Sequence, residues 1–170
     1  MNHFPKFAAP IYQEAMDRFN TLLDNLAESL DGDLKHDVIT KAIYSTDASV
    51  YKEKPIAVIW PKGISDIRKV LSFAAREKTG VILRAGGTSL AGQVVGSGII
   101  VDVSRYMNRI IEINSEERWV RVEPGVVLDE LNMQLREYGL FFGPETSTSN
   151  RCMVGGMVGN NSCGSHSLIY

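Results

Sequence analysis

The apolar residues of the chain change from helical to strand spacing near residue 55. Over residues 10–30 they recur every three or four positions, which predicts an amphipathic helix with Pro10 in its first turn and Gly32 at its stop. A weaker pattern of the same period predicts a second helix over residues 34–42. We therefore expect residues 1–43 to form a helical extension of a main domain that covers residues 44–170.

The next part of the chain combines short apolar runs with one helical segment. Three compact runs predict strands: residues 56–60, 81–84 and 99–103. The apolar positions of residues 64–75 predict a helix between the first two strands, and a glycine-rich stretch, residues 85–98, separates the last two. The order β-α-β-loop-β predicts a layered α+β lobe, which we place at residues 55–105.

A second α+β lobe is expected over residues 109–170. Four elements are predicted there: a strand at 110–113, a strand at 119–122, a helix at 127–135 and a short strand at 140–142. The polar turn between the first two strands indicates a hairpin, and Gly139 suits the end of the helix. Residues 143–170 are rich in Gly, Ser, Thr and Asn, which is typical of a functional or a disordered segment.

Composition and charge exclude several classes of protein. Hydrophobic residues make up 44% of the chain, charged residues 22%, and the net charge is -2, so no basic surface for nucleic acid is expected. No apolar run approaches the roughly 18 residues of a transmembrane helix, and the first residues lack a secretory signal, which favours a cytoplasmic protein. Cys152 and Cys163 match no metal-ligand spacing, and the histidines are isolated, so no metal site is predicted.

The first candidate for chemistry is R-A-G-G-T-S-L-A-G-Q, residues 84–93, which directly follows a predicted strand. Glycines let backbone N–H groups approach a ligand, and successive N–H groups form an anion-binding concavity, so the loop suits a phosphate or diphosphate. It lacks the Lys and Ser/Thr of a P-loop, and it leads to a strand rather than to the helix of a Rossmann fingerprint. A glycine-rich turn without a ligand is the alternative for this loop taken alone.

The second candidate is the small-residue segment 143–164, which contains G-P-E-T-S-T-S-N and V-G-G-M-V-G-N-N-S. Such residues permit close contact with a flat ring or a diphosphate, but they are also common in turns. No Ser-His-Asp, Cys-His or paired-carboxylate arrangement is apparent, so no catalytic residue is assigned. Asp102 and Glu123, which each end a predicted strand, are interpreted as structural.

Taken together, these motifs resemble a known family. The order R-x-G-G-T-S-x-x-G, I-I-V-D-V-S-R, V-x-V-E-P-G-V and V-G-G-M is similar to the FAD-binding domain of vanillyl-alcohol oxidase/p-cresol methylhydroxylase-type flavoproteins. Within that family the chain resembles the D-lactate, glycolate and D-2-hydroxyglutarate dehydrogenases, and among them the large members with iron–sulfur domains. The resemblance covers residues 44–170.

The resemblance implies a set of cofactor-binding residues. The first loop would wrap the FAD diphosphate, and the later segment would line the cofactor. The residues concerned are Ala85, Gly86, Gly87, Thr88, Ser89, Gly92 and Gln93 in the loop, and Pro144, Glu145, Thr146, Ser149, Gly155, Gly156 and Asn160 in the segment. Thr88 stands where some family members attach FAD through a histidine, which implies non-covalent FAD.

The resemblance also implies an activity, the oxidation of a D-2-hydroxy acid by hydride transfer to flavin N5. Family members place the base and the substrate-binding groups in a later cap domain. We expect that domain to be absent here and the second lobe to be incomplete, so that the chain alone is inactive. Two alternatives stay open: a non-catalytic phosphate- or nucleotide-binding module, and an inactive fragment.

Overall fold

The computed structural model describes residues 9–166, 168 and 169, and it contains a four-stranded sheet and a two-stranded one. The four strands of the larger sheet stand in the order β1-β2-β4-β3. They are β1, Asp33–Lys35; β2, Ala57–Trp60; β3, Val81–Arg84; and β4, Ile99–Asp102. The strands β2, β4 and β3 are parallel, and β1 adds antiparallel to β2. This confirms the three strands predicted for the first lobe.

The central strands β2 and β4 are buried on both faces, as is usual in parallel sheets. On one face, Ile59 and Val101 pack against Leu23 of helix α1, Ala9–Ser29, and Val70 of helix α3, Ile64–Arg76. On the other face, Val58, Trp60 and Ile100 form a smaller cluster. Both predicted helices are therefore present, and α1 belongs to the core of the first lobe.

The predicted helix over residues 34–42 is partly wrong. Leu34 lies in β1 and packs against the core, so its burial against the sheet overrides the helical pattern. The helix α2 covers Val38–Ile43 and begins after Asp37, whose carboxylate accepts a hydrogen bond from the backbone N–H of Thr40.

The second lobe contains the predicted hairpin, β5, Ile110–Asn114, and β6, Trp119–Val122, together with helix α4, Leu128–Leu135. A 3₁₀ turn extends α4 to Gly139, which ends it at φ +67°. Val126, Leu131 and Leu135 pack against the hairpin. The lobe also contains helix α5, Val154–Gly159, which the composition of that segment did not predict.

The strand predicted at residues 140–142 is not formed. The N–H of Leu140 donates to the carbonyl of Leu135 at 3.1 Å, and the N–H of Phe142 donates to Oδ1 of Asn132 at 2.7 Å. The backbone donors that a sheet would need are thus used by the end of α4.

Candidate functional site

The glycine loop leaves β3 at the carboxyl edge of the larger sheet, where open parallel sheets commonly bind ligands. Gly87 has φ +62°, a backbone conformation that favours glycine. The N–H groups of residues 85–89 donate no hydrogen bond to any other described residue. The loop therefore presents a row of free backbone donors, which fits a phosphate or diphosphate ligand.

The later small-residue segment is held against the entrance to helix α4. Met153 of this segment forms an antiparallel β-bridge with Val127, which precedes α4. The N–H of Leu128 donates to the carbonyl of Cys152 at 3.1 Å. A Cβ at Gly155 would lie 2.6 Å from Cβ of Pro124, so these two backbones are packed closely. Residues 120–126, which carry the motif V-x-V-E-P-G-V, and the start of α4 thus fix the position of residues 152–155 later in the chain.

The two candidate segments meet in space although they lie far apart in the sequence. A Cβ at Gly86 would lie 2.5 Å from the carbonyl oxygen of Arg151, and one at Gly156 would lie 3.3 Å from Cβ of Ala85. At the tip of the loop, Nε2 of Gln93 donates to Oδ1 of Asn160 at 2.8 Å. Small residues at these contacts let the backbones of the two lobes come together.

A cleft of about 490 Å³ opens between the lobes at this junction. Its walls combine the end of the larger sheet, the start of the glycine loop and the later segment. The lining residues are Ile43, Tyr44, Arg84, Ala85, Gly86, Asp102, Ser104, Val127, Asn150, Arg151 and Met153. The lining mixes apolar with polar and charged side chains, and the volume lies in the range of small-molecule and cofactor sites.

A polar cluster forms one wall of the cleft. The hydroxyl of Tyr44 donates to Oδ2 of Asp102 at 2.6 Å and accepts from Nε1 of Trp60 at 3.0 Å. Burial and the hydrogen bond to Asp102 raise the pKa of Tyr44 to about 12, so this hydroxyl keeps its proton at neutral pH. The guanidinium of Arg84 lies 4.9 Å from the centre of the Tyr44 ring.

The predicted site residues fall into three groups. Those that join the loop to the later segment are Ala85, Gly86, Gln93, Gly156 and Asn160. A second group sets the conformation of one segment through local turns, packing or hydrogen bonds. These residues are Gly87, Ser89, Gly92, Thr146, Ser149 and Gly155. Thr88, Pro144 and Glu145 form the third group, and Glu145 accepts hydrogen bonds from Ser165 and His166, which lower its pKa. Of all the predicted site residues, only Ala85 and Gly86 line the cleft.

The sequence analysis missed several residues that line the cleft, notably Tyr44, Arg84 and Asp102. Asp102 was interpreted as structural, and its carboxylate indeed bonds Tyr44 and the N–H of Ser104, but it also faces the cleft. The parallel register pairs Arg84 with Asp102 at the carboxyl ends of β3 and β4. Their position at strand ends next to the glycine loop was the signal that could have identified them.

Glu123, by contrast, has the structural role expected of it. Its buried carboxylate accepts from the backbone N–H of Arg109 at 2.9 Å and from the guanidinium of the same residue at 2.8 Å. These hydrogen bonds lower the pKa of Glu123, and they hold the start of β5 against the end of β6.

A glycine loop at the carboxyl edge of one α+β lobe, facing a small-residue segment of a second lobe, is the arrangement of an FAD-binding domain. Residues 55–170 match the family model described as FAD binding domain, and the chain belongs to this family, of the vanillyl-alcohol oxidase/p-cresol methylhydroxylase type. The expected α+β fold is thereby confirmed.

The chain is similar in sequence to several dehydrogenases and oxidases that act on hydroxy acids. The chain is 44% identical over 154 residues to D-2-hydroxyglutarate dehydrogenase of Escherichia coli (strain K12), an alignment that covers 89% of this chain and 15% of that protein. It is 31% identical to glycolate oxidase subunit GlcD of Bacillus subtilis, over 76% of this chain and 28% of that protein. It is 29% identical to the mitochondrial D-lactate dehydrogenase [cytochrome] of Kluyveromyces lactis, over 89% of this chain and 28% of that protein. The chain thus spans a minor part of the length of each.

Among solved structures, alkyldihydroxyacetonephosphate synthase has the same fold, with a TM-score of 0.70 and 20% sequence identity. That superposition covers 81% of this chain and 30% of the synthase. In the part of the chain that the structure describes, no helix is long and apolar enough to cross a membrane, and no group of three or more His, Cys, Asp or Glu side chains could hold a metal ion.

Proposed function

We propose that this chain binds FAD non-covalently in the cleft between its lobes, with the diphosphate on the backbone N–H groups of residues 85–89. The observation that carries this proposal is the row of free backbone donors in a loop that contains Gly86 and Gly87, which themselves carry no side chain. The family to which the chain belongs supplies the identity of the ligand.

The rest of the predicted set would line the cofactor. Gly155 and Gly156 lie in helix α5 and pack against Pro124 and Ala85, and Gln93 and Asn160, which bond each other, would close the site over the diphosphate. Thr88 carries a hydroxyl, which cannot form the bond through which a histidine attaches flavin. Pro144, Glu145, Thr146 and Ser149 would contact the cofactor from the later segment.

For the intact protein, we propose oxidation of a D-2-hydroxy acid, and of the three substrates named by the relatives we favour D-2-hydroxyglutarate. The support is the higher identity, 44% against 31% and 29%. When bound, the flavin supplies N5 as the hydride acceptor. The described residues hold the cofactor, and we assign the catalytic base to none of them. Cys152 and Cys163 are both unpaired, which supports a cytoplasmic location.

The binding proposal is tested by titrating the chain with FAD and with ADP. We expect saturable binding of both, because the diphosphate is the shared group. Gly87→Ala should weaken both about fivefold or more, because an L-residue at φ +62° is strained by roughly 1 kcal/mol or more, and the free loop would relax to a conformation that binding must reverse. Gly63→Ala is the matched control, since a Cβ there meets nothing within 4 Å. Failure of the wild-type chain to bind either ligand, or equal binding by the Gly87 variant, would contradict the proposal.

Two further measurements test the finer claims. Acid precipitation of the FAD-loaded protein should leave all flavin in the supernatant, whereas flavin in the pellet would show a covalent bond. In the intact protein under anaerobic conditions, D-2-hydroxyglutarate should bleach the flavin band faster than D-lactate or glycolate. A faster reaction with either of the others would exclude the substrate that we favour.

A further inference from the structure

Residues 44–52, which we call the brace segment, pack against the glycine loop, and Tyr44 at the start of the segment also lines the cleft. The segment follows helix α2 and is closed on itself by a bridge between Thr46 and Lys52, with a further hydrogen bond from the N–H of Glu53 to the carbonyl of Ser45 at 3.0 Å. Neither the family model, which starts at residue 55, nor the predicted site includes it.

The brace segment holds Arg84, the residue from which the loop starts. The guanidinium of Arg84 lies over the ring of Tyr44 and donates to the carbonyl of Thr46 at 2.9 Å. Its other side is against the loop, because a Cβ at Gly87 would lie 3.0 Å from Nη2 of Arg84. The Arg84 side chain is thus enclosed between the brace segment and the turn that it precedes.

Two further contacts hold the loop directly. The N–H of Ala48 donates to the carbonyl of Gly87 at 3.2 Å, which fixes the orientation of the peptide that follows Gly87. At the far end of the loop, the ring of Tyr51 packs on Gly92, where a Cβ would lie 2.5 Å from Cδ2 of Tyr51. The brace segment therefore contacts the start, the middle and the end of the loop.

Tyr44 is the anchor of the brace segment. Its hydroxyl is fixed by Asp102 and by Trp60, both of them buried residues at the ends of the central strands. The ring that supports Arg84 therefore has its position set by the core of the first lobe. A loop held in this way loses less conformational freedom when a ligand binds, which increases affinity.

We propose that the brace segment positions the glycine loop for diphosphate binding, and that Tyr44 is the positioning residue through which the sheet sets the orientation of the loop. This inference rests on the proposed FAD site. It assigns a part of the binding affinity to residues 46–52, which do not line the cleft, and to Tyr44, which does.

The test compares Tyr44→Phe with Tyr106→Phe. Tyr106 is a matched control because its hydroxyl donates to Oδ2 of Asp33 at 2.6 Å, the same kind of bond, while its ring contacts are with Lys62 and Arg105 rather than with the loop. We expect Tyr44→Phe to raise the Kd of FAD and of ADP about tenfold, and Tyr106→Phe to leave both within twofold, at a temperature where both variants are folded. Equal Kd values for the two variants would overturn the inference. Binding of FAD and ADP by the wild-type chain would still support the proposed site in that case.

A second pair of variants avoids the buried hydrogen bonds. Tyr51 is 57% exposed, so Tyr51→Ala should fold, and it should weaken FAD and ADP binding several-fold. Tyr138→Ala, at a position 49% exposed on the second lobe, is the control and should bind as wild type. Unchanged Kd values for Tyr51→Ala would contradict a bracing role.

A double-variant cycle separates positioning from general stability. If Tyr44 acts through the loop, then Gly87→Ala, which already disturbs the loop, should reduce the effect of Tyr44→Phe on the Kd of ADP. Effects that multiply independently would show that Tyr44 does not act through the loop and would overturn the inference.

Discussion

Gly86 lies against the backbone of Arg151, a close contact between the two lobes beside the proposed diphosphate site, and Gly86→Ala tests it. The added Cβ would lie 2.5 Å from the carbonyl oxygen of Arg151, which is about 1 Å short of an ordinary van der Waals separation. That carbonyl cannot move easily, because the N–H groups of Arg151 and Cys152 both donate to the carbonyl of Thr148 at 2.8 Å. The loop or the whole later segment must therefore shift.

The size of the effect follows from this shift. Overpacking of this kind costs about 1–3 kcal/mol, which for a chain of this length lowers Tm by about 2–12 °C. The Kd of FAD should rise at least about tenfold, because the displaced segments are the two that would bind it. Differential scanning fluorimetry and a fluorescence titration measure the two quantities, with Gly63→Ala as the control. A Gly86→Ala variant that melts with wild type and keeps its Kd within twofold would refute the close contact.

Two carboxylates support predictions about stability and its dependence on pH. Asp66 is buried, which raises its pKa, but N–H donors of Lys62, Asp31 and Gly32 outweigh burial and lower the pKa below 3.8. Asp66→Asn should cost about 3 kcal/mol in urea unfolding at pH 7 and should remove the part of the stability that wild type loses as the pH falls below 3.8. Asp129→Asn, at an exposed position, should cost less than about 1 kcal/mol at pH 7. Glu123→Gln, which breaks the pairing with Arg109, should likewise destabilise the protein by about 1–3 kcal/mol. Glu112→Gln, which breaks an exposed pair, is the control and should not change the unfolding free energy measurably. Equal melting temperatures of these two variants would contradict the role assigned to Glu123.

The local pattern of the sequence predicted the elements whose own residues carry the signal. The strands β2 and β4 were predicted because strands buried on both faces appear as continuous apolar runs. Helix α3 was predicted because a helix buried on one face has apolar residues every three or four positions. The hairpin of β5 and β6 was found for the same reason. Gly139 was also predicted as the end of the helix, and its left-handed conformation is one that few other residues adopt readily.

The missed elements are those that distant contacts decide. Leu34 is in a strand because β2 offers it an edge. Residues 140–142 are not in a strand because the N–H groups of Leu140 and Phe142 donate to Leu135 and Asn132. Helix α5 is built largely from glycine and valine, which are weak helix formers, and its burial of Met157 in the second lobe favours a helix that propensity does not.

The candidate site shows the same division. The glycine loop is recognisable from its own residues, because free backbone N–H groups need small neighbours. The wall formed by Tyr44, Arg84 and Asp102 is not, because Tyr44 lies 58 positions from Asp102 in the chain and reaches it through the fold. Sequence spacing carries no record of such a contact when a single chain is read alone.

The geometry of the loop explains why its binding function and the association of the lobes should depend on each other. One side of the loop is held by the brace segment, whose position the first lobe sets, and the other side meets the second lobe at Gly86 and at Gln93. A ligand bound to residues 85–89 would therefore contact a surface that both lobes form, and it would stabilise the native arrangement by mass action. We expect that FAD, added above its Kd, raises Tm of the whole chain in one transition. Two separate transitions, with one insensitive to FAD, would show that the lobes melt independently and that the cleft is not a shared site.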